Sequence, residues 1–275
     1  MRKILVTIIA LLFCSISFSQ VKNTLDNYET VYKDSNVTFR KLDKNTWLGS
    51  GNVMSSESMY LIEGKKRAIL IDAGTTIPNL HEVVAKITAK PVTLVLTHVH
   101  PDHAGAVNCF DEVWISPGDT VNMPEFMPDY GGKVNYLTDG QKFKLGGRTI
   151  EAFFTPGHTP GSVTFLETGT DRGFCGDAFG TGSGKNNGGI LVFCDLDTII
   201  GTCSKAYKYF EKKGYKKFYC GHFYGENFMT LDRIKYVESF ARKVKAGKYE
   251  IKPVNNFMNL NSSAADQGFR MRFIR

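Results

Sequence analysis

The segment from Thr97 to Gly105, with the sequence THVHPDHAG, constrains this chain more than any other feature. Within six positions it contains the side chains of His98, His100, Asp102 and His103. The apolar run Val92–Leu96 comes directly before it and predicts a buried strand. Because side chains alternate along a strand, His98 and His100 are expected to point the same way at its end. The turn that follows brings the other two groups round to a second point.

This density of imidazole and carboxylate groups indicates a metal site. A single histidine near the end of a strand is commonly a hydrogen-bonded structural residue. Four such groups in six positions, with Pro101 and Gly105 shaping the turn, are instead typical of a ligand set. Zinc and iron take these ligands in proteins. Two ions lying close together would use all four groups.

Three later turns repeat the same arrangement, an apolar strand followed by histidine or aspartate beside glycine or proline. They are Gly157–Ser162, Gly176–Asp177 and Cys220–His222. Glycine in such a turn allows close approach of the backbone. Together with the first segment, these turns supply seven candidate metal ligands: His98, His100, Asp102, His103, His158, Asp177 and His222.

Seven groups suffice for two ions, with Asp177 placed to bridge them and a hydroxide as the second bridge. A metal pair lowers the pKa of bound water towards neutrality and polarises a carbonyl, so no serine or cysteine nucleophile is needed. The sequence contains no GxSxG elbow, Walker A loop or paired dinucleotide-binding glycines that would support another chemistry. Zinc is the expected metal, although iron and manganese accept the same ligands.

The first part of the chain has the pattern of a signal peptide. Arg2 and Lys3 form a positive n-region, Ile4–Phe13 an apolar core, and Ser17–Ser19 a cleavage site before Gln20. The apolar run is too short for a permanent membrane span. The sequence therefore predicts export, to the periplasm or outside the cell, with residues 1–19 removed and no membrane anchor left.

Lipidation at Cys14 is the alternative, but Phe13 is bulky where a small residue is expected before a lipidated cysteine. Removal of residues 1–19 takes two positive charges from a formal net charge of +7 and leaves no block of Lys and Arg. This argues against a nucleic-acid partner and favours a small-molecule substrate. The cysteines that remain are odd in number and scattered, so no complete disulfide framework is expected.

Short strands separated by turns dominate the chain, in two blocks that are each followed by helices. The predicted strands cover residues 37–40, 46–48, 58–62, 67–71, 92–96, 112–115, 134–137, 142–145, 148–154, 163–167, 173–177 and 217–219. Amphipathic helices are predicted at 79–88, 196–212 and 231–245. This order indicates two sheets packed face to face, with helices outside and the metals at one edge. Because no linker divides the chain, residues 20–275 are predicted to form a single domain.

Four features outside the ligand turns also carry predictions. Residues 117–133 are irregular and rich in Pro, Gly and Met, and are expected to form a loop that walls a substrate pocket. The basic tail Phe269–Arg275 is predicted to be a last edge strand with its arginines in water. Lys185, in the glycine-rich stretch 180–189, could meet an anionic substrate or lie in a flexible surface turn. Tyr224 could donate a hydrogen bond to a leaving group or oxyanion, or pack as an aromatic residue at the rim.

The motifs HxHxDH at 98–103, GHTPGS at 157–162, GD at 176–177 and CGH at 220–222 resemble those of the metallo-β-lactamase superfamily. The resemblance spans roughly residues 37–222 and includes LIDAG at 70–74. It implies an α/β fold, a four-layer αββα sandwich. It also implies one metal held by His98, His100 and His158, and another held by Asp102, His103 and His222. By the same resemblance Asp177 bridges the metals, and Asp102 also orients the attacking water.

The superfamily hosts many reactions, so the fold alone does not name the substrate. Asp177 and the CGH turn resemble glyoxalase II-like thioesterases and lactonases, which implies hydrolysis of an ester, thioester, lactone or amide carbonyl. β-Lactamases with the same HxHxDH motif usually lack the bridging Asp. β-Lactam hydrolysis is therefore ranked second and is kept as the alternative. His100, where flavodiiron proteins carry a Glu, argues against that redox branch. An alternative of another class is a mononuclear-iron oxidoreductase resembling the persulfide dioxygenases.

Overall fold

The computed structural model describes residues 24–52, 56–182, 188–223 and 228–275. Several sequence-based predictions fall outside these residues, namely the signal peptide at 1–19, Cys14, Lys185 and Tyr224. Within the described ranges, no helix has the length and apolar character needed to cross a membrane.

The first sheet contains eight strands that lie in the same order as in the sequence. They are β1 (Thr30–Lys33), β2 (Val37–Asp43), β3 (Thr46–Gly51), β4 (Ser58–Glu63), β5 (Ala68–Ile71), β6 (Val92–Val95), β7 (Glu112–Ile115) and β8 (Lys133–Tyr136). Strands β1 to β5 pair antiparallel, and β5 to β8 pair parallel, with helix α1 (Leu80–Ala85) between β5 and β6. Parallel strands end at the same edge of a sheet, so the segments after β5 and β6 meet there.

The second sheet has five strands in the order β14-β12-β11-β10-β9. They are β9 (Lys142–Lys144), β10 (Thr149–Phe154), β11 (Val163–Glu167), β12 (Arg172–Gly176) and β14 (Lys217–Cys220). Strands β12 and β14 are parallel and are connected through helix α4 (Leu196–Lys213). Their carboxyl ends therefore bring the GD and CGH turns side by side.

A third, four-stranded sheet has the order β13-β17-β16-β15. Its strands are β13 (Gly188–Val192), β15 (Lys252–Phe257), β16 (Leu260–Asp266) and β17 (Phe269–Phe273), and helix α5 (Leu231–Lys245) precedes β15. The helix packs on this sheet through Tyr236, whose ring centroid lies 5.4 Å from that of Phe269. Strand β13 joins the sheet by parallel pairing with β17.

Successive side chains in the two large sheets point alternately into the space between the sheets and towards the helices outside them. On β4, Met59 and Leu61 belong to the hydrophobic cluster that includes helix α1, whereas Tyr60 belongs to the cluster between the sheets. On β14, Tyr219 faces Tyr60 at a centroid distance of 5.5 Å. The preceding Phe218 turns the other way, with its ring 4.9 Å from that of Phe210 in α4. The order of layers is therefore helix, sheet, sheet, helix, which confirms the predicted α/β sandwich.

Most predicted elements appear within one or two residues of their expected bounds, and α5 has the predicted limits. The prediction of an edge strand at the C-terminal tail was wrong, because β17 lies between β13 and β16. Alternating apolar and basic residues predict a strand with one buried face, but they carry no information on its neighbours. The alternation itself holds, since Phe269, Met271 and Phe273 are buried.

The segment 117–133 is more regular than predicted. It contains a short 3-10 helix at Pro117–Val121 and the one-turn helix α3 (Met123–Phe126), each with a proline in its first turn. The turn after β6 is also helical, as α2 (Pro101–Ala104). Proline is favoured at the start of a helix because its missing N–H has no partner there, a signal that the sequence analysis did not use.

Candidate metal centre

The rings of His98, His100 and His158 converge on one point at the shared edge of the two large sheets. The Nε2 atom of His158 lies 3.1 Å from Nε2 of His98 and 3.0 Å from Nδ1 of His100. All three residues are buried. A tetrahedral zinc ion with Zn–N bonds of about 2.1 Å places its nitrogen ligands roughly 3.4 Å apart. Both distances are close to this value, and the ligand atoms of the three residues all lie within 4.8 Å of one another, so they could hold one ion.

Contacts on the far side of the ring orient two of the three histidines, His158 and His98. Nδ1 of His158 donates to the backbone oxygen of Leu191 at 2.8 Å, which leaves the lone pair on Nε2. Nδ1 of His98 contacts Oγ1 of Thr97 at 3.1 Å. Burial, together with the neighbouring imidazoles, lowers the pKa of His98 well below its usual range and that of His100 to about 3. The group is therefore neutral at physiological pH, which is the state that binds a metal.

A second group adjoins the first and consists of Asp102, His103 and His222. Their ligand atoms lie close together, with Nε2 of His222 at 3.3 Å and Nε2 of His103 at 3.8 Å from Oδ2 of Asp102. Burial opposes protonation of His103, but Asp102 and Asp72 raise its pKa to about 9. A divalent cation would compete with this proton for Nε2, because the same lone pair serves both.

Asp177 lies between the two groups. Its Oδ2 atom is 3.5 Å from Nε2 of His222 and 3.9 Å from Nε2 of His158. Its Oδ1 atom is 3.9 Å from Nε2 of His103. Burial alone would raise the pKa of Asp177, but the imidazoles of His222 and His103 lower it below its ordinary value. An ionised carboxylate that reaches ligands of both groups has the position of a bridge.

Two buried atoms of the cluster lack a hydrogen-bond partner within the described part of the chain, which bears on whether the cluster fits metal ions. Among the described residues, Nε2 of His103 and Oδ1 of Asp177 are buried without a hydrogen-bond partner. Leaving such atoms unpaired costs about 1–3 kcal/mol each, so native structures rarely contain them without a function. A cation between these two atoms would satisfy both. The seven predicted ligands therefore lie together, in an arrangement that fits two ions.

Asp72 orients the second group from behind. It follows β5 with a left-handed φ of 67°, and its Oδ2 accepts a hydrogen bond from Nδ1 of His103 at 2.8 Å. Its Oδ1 accepts from the backbone N–H of Thr97 at 2.7 Å. One carboxylate therefore fixes the His103 tautomer and the start of the histidine turn, as partners of metal ligands commonly do.

Asp119 links the turns that carry the three-histidine group, and the sequence analysis missed it. Its Oδ2 accepts from the backbone N–H of Val99 at 2.6 Å, and its Oδ1 accepts from that of Gly161 at 2.8 Å. Val99 lies between two ligands, and Gly161 is three residues after a third. The only sequence sign of this role is an aspartate within the turn Ser116–Asp119, which is common in loops without such a function.

Gly221 is required by close packing at the second group. A Cβ atom at this position would lie 2.3 Å from Oδ1 of Asp177 and 2.6 Å from Cε1 of His103. The turn that carries His222 is held by Ser58, whose N–H donates to the Gly221 oxygen at 2.7 Å. At this turn the glycine therefore allows the close approach of the backbone that the sequence pattern predicted.

The remaining sequence-based expectations have simple outcomes. His81 is exposed on α1, where its ring contacts Phe110, and it lies outside the metal centre. The cysteines of the described ranges are all free, namely Cys109, Cys175, Cys194, Cys203 and Cys220. Cys175 and Cys220 are buried beside the GD and CGH turns, where they pack as small apolar residues.

A helix–sheet–sheet–helix sandwich with adjoining imidazole and carboxylate clusters at one sheet edge defines a class of α/β proteins with a metal centre. The sequence model of the Metallo-beta-lactamase superfamily matches residues 54–222, which is more than half of the chain. The chain belongs to this superfamily, and the resemblance drawn from its motifs is confirmed.

Known proteins with similarity to this chain include hydrolases. A human acyl-coenzyme A thioesterase, MBLAC2, is 25% identical over 205 residues, which cover 60% of this chain and 72% of that protein. The hydroxyacylglutathione hydrolase of Cronobacter sakazakii is 36% identical over 124 residues, covering 45% of this chain and 46% of the relative. The matches thus span from about half to about three quarters of these two relatives.

The solved structure of a metallo-beta-lactamase from Pontibacter korlensis has the same fold. It superposes with a TM-score of 0.55 at 21% identity and covers 78% of this chain and 99% of its own. At this identity the likeness concerns the fold alone. The substrate has to be argued from the site.

Proposed function

We propose that this chain is an exported metallo-hydrolase that cleaves an ester or thioester by means of two divalent metal ions, most simply zinc. One ion would be held by His98, His100 and His158, and the other by Asp102, His103 and His222. The observation that carries the proposal is the position of Asp177, whose two oxygens lie within 3.9 Å of ligands from both groups. Because Asp177 reaches ligands of both groups, it could hold the two ions together as a bridging carboxylate.

The exposure and the ionisation of Asp102 both support hydrolysis at this site. When bound, two divalent ions supply a water ionised near neutral pH and polarise the carbonyl under attack. The Asp102 side chain is 22% exposed, compared with 2% for His158, so the second group is the side open to water and substrate. Burial opposes ionisation of Asp102, but His103 and His222 lower its pKa, so its carboxylate accepts a hydrogen bond from an incoming water and orients it.

The names of the relatives support ester and thioester cleavage above β-lactam cleavage. The similar human protein is a thioesterase, and the bacterial relative hydrolyses a glutathione thioester by its name. The presence of Asp177 in the bridging position agrees with this order. Lactones and amides present the same carbonyl chemistry and belong in the same substrate panel, with a β-lactam as the comparison.

The experiment is metal analysis of the protein comprising residues 20–275, together with hydrolysis of that panel. We expect about two zinc ions per chain and turnover that a chelator abolishes. His158→Ala should lose one ion and at least about 100-fold in kcat/KM, because it removes a metal ligand. His81→Ala, a histidine exposed on α1, is the matched control and should keep both properties.

Other outcomes would contradict the proposal. A single iron with oxygen consumption and no hydrolysis would replace it with the dioxygenase alternative. Hydrolysis of the β-lactam alone would reverse the substrate order. Export is tested separately by fractionation of cells that express the full sequence, and a cytoplasmic product with residues 1–19 intact would refute it.

A further inference from the structure

Phe193 turns its ring towards the three-histidine group. It directly follows β13, and its backbone N–H donates to the His158 oxygen at 3.0 Å. Its ring centroid lies 5.1 Å from that of His100 and 5.6 Å from that of His158. The preceding Val192 is fully buried in the core, so alternation along the strand directs Phe193 away from the core and to the site. Its side chain is only partly buried.

Phe126 reaches His100 from a different element. It is the last residue of α3, and its ring centroid lies 5.5 Å from that of His100, with the planes perpendicular. Its side chain is partly buried, as is that of Met123 in the same helix, and Val121 just before the helix is 69% exposed. Phe126 and Met123 pack in part against the hydrophobic cluster that includes α1, and the remaining exposed part of Phe126 lies beside His100, where an apolar ligand could cover it.

The two stretches that present these rings are almost uncharged. In the described residues 121–126 and 188–194, Glu125 is the only charged side chain, and it is exposed. An anionic leaving group such as a nucleotide or a glutathione would gain no ion pair here. An unbranched hydrocarbon would bury its surface against Phe126 and Phe193, and each buried methylene contributes about 0.8 kcal/mol.

We propose that Phe126 and Phe193 form the acyl-binding subsite of this enzyme and select substrates with a medium or long apolar acyl chain. The proposal rests on the proposed function, because it assigns one end of the substrate of that reaction. The carbonyl lies at the metal centre, the hydrocarbon lies along the two rings beside His100, and the leaving group points to the more exposed side at Asp102.

The test measures kcat/KM for thioesters of one neutral thiol with acyl chains of two, four, eight and twelve carbons. In the wild type we expect kcat/KM to rise about two- to fourfold per methylene until the subsite is filled. Phe193→Ala and Phe126→Ala should flatten this rise, so that the loss of kcat/KM is largest for the twelve-carbon substrate and smallest for the two-carbon substrate. Tyr136→Ala, which removes a half-exposed aromatic ring of β8, is the control and should keep the wild-type slope.

Binding provides a second readout that does not require turnover. Calorimetry with butyrate, octanoate and dodecanoate should show affinity rising with chain length in the wild type and not in Phe193→Ala. If the wild type cleaves neither esters nor thioesters but shows this dependence, the subsite stands and the proposed function fails. An equal loss for all chain lengths in both variants would show that the rings only support His100, and an unchanged slope would show that the chain binds elsewhere. Either result overturns the proposal.

Discussion

Asp119→Asn is a sharp test of how the three-histidine group is held. The substitution preserves shape but replaces one of the two accepting oxygens by an NH2 group, which then faces a backbone N–H of Val99 or Gly161. A hydrogen bond to a charged group contributes about 1.5–3 kcal/mol, and a buried donor left unpaired costs about 1–3 kcal/mol. We therefore expect the free energy of unfolding to fall by about 2–4 kcal/mol.

Two measurements follow from this magnitude. For a protein of this size the Tm should drop by about 5–12 °C. Metal affinity should fall about 10- to 100-fold at the proposed three-histidine site, because Asp119 places the turns that carry His98, His100 and His158. Asp129→Asn, an exposed aspartate of the same loop, is the control and should change neither quantity. A Tm within about 1 °C of wild type, with both metal affinities unchanged, would refute the assigned role.

Three further predictions concern other parts of the molecule. Gly221→Ala should lower kcat/KM by at least about tenfold, since the new Cβ would lie 2.3 Å from Oδ1 of Asp177; wild-type activity with full metal content would contradict this. Burial would raise the pKa of Glu167, but hydrogen bonds from Arg148 and Arg172 lower it, so its stabilisation is present above about pH 4.3 and is lost as the pH falls through the folded-state pKa. Glu167→Gln should therefore lower the Tm by several degrees at pH 7 and by much less near pH 3, and an equal difference at both values would refute the ion-pair explanation. Chelation should lower the Tm by an amount that grows with metal affinity, and a Tm that is the same with and without zinc would show that the folded chain does not bind it.

The fold was predictable because its elements differ in their apolar pattern. The short apolar run of β4 and the amphipathic period of α5 predict both elements from the sequence alone. The position of β17 inside its sheet was not predictable, because pairing with β13 joins segments that are far apart in the sequence. Strands β15 and β16 were missed because Pro253 and the short polar run Asn261–Ser263 do not resemble a buried strand.

The residues of the candidate site likewise fall into those that the sequence predicted and those that it did not. Residues whose side chains form the cluster were found because histidine and aspartate beside glycine are rare in such density. Asp119 was missed because its partners are backbone N–H groups, which leave no trace in the sequence. Phe126 and Phe193 were missed because a half-exposed phenylalanine looks like any core residue until its neighbours are known. Contacts between segments far apart in the sequence are set by how the chain packs, and a single sequence does not show which segments will meet.

The pairing of β13 with β17 also sets an order of events during synthesis. The carbonyl of Leu191, which fixes the ring of His158, belongs to a strand whose sheet neighbour is made of residues 269–273. A ribosome completes those residues about eighty positions after Leu191 and more than forty after His222. Every ligand of the centre is thus translated well before the strand that steadies one of them. The support that Leu191 gives to His158 is therefore complete only once β17 has paired with β13.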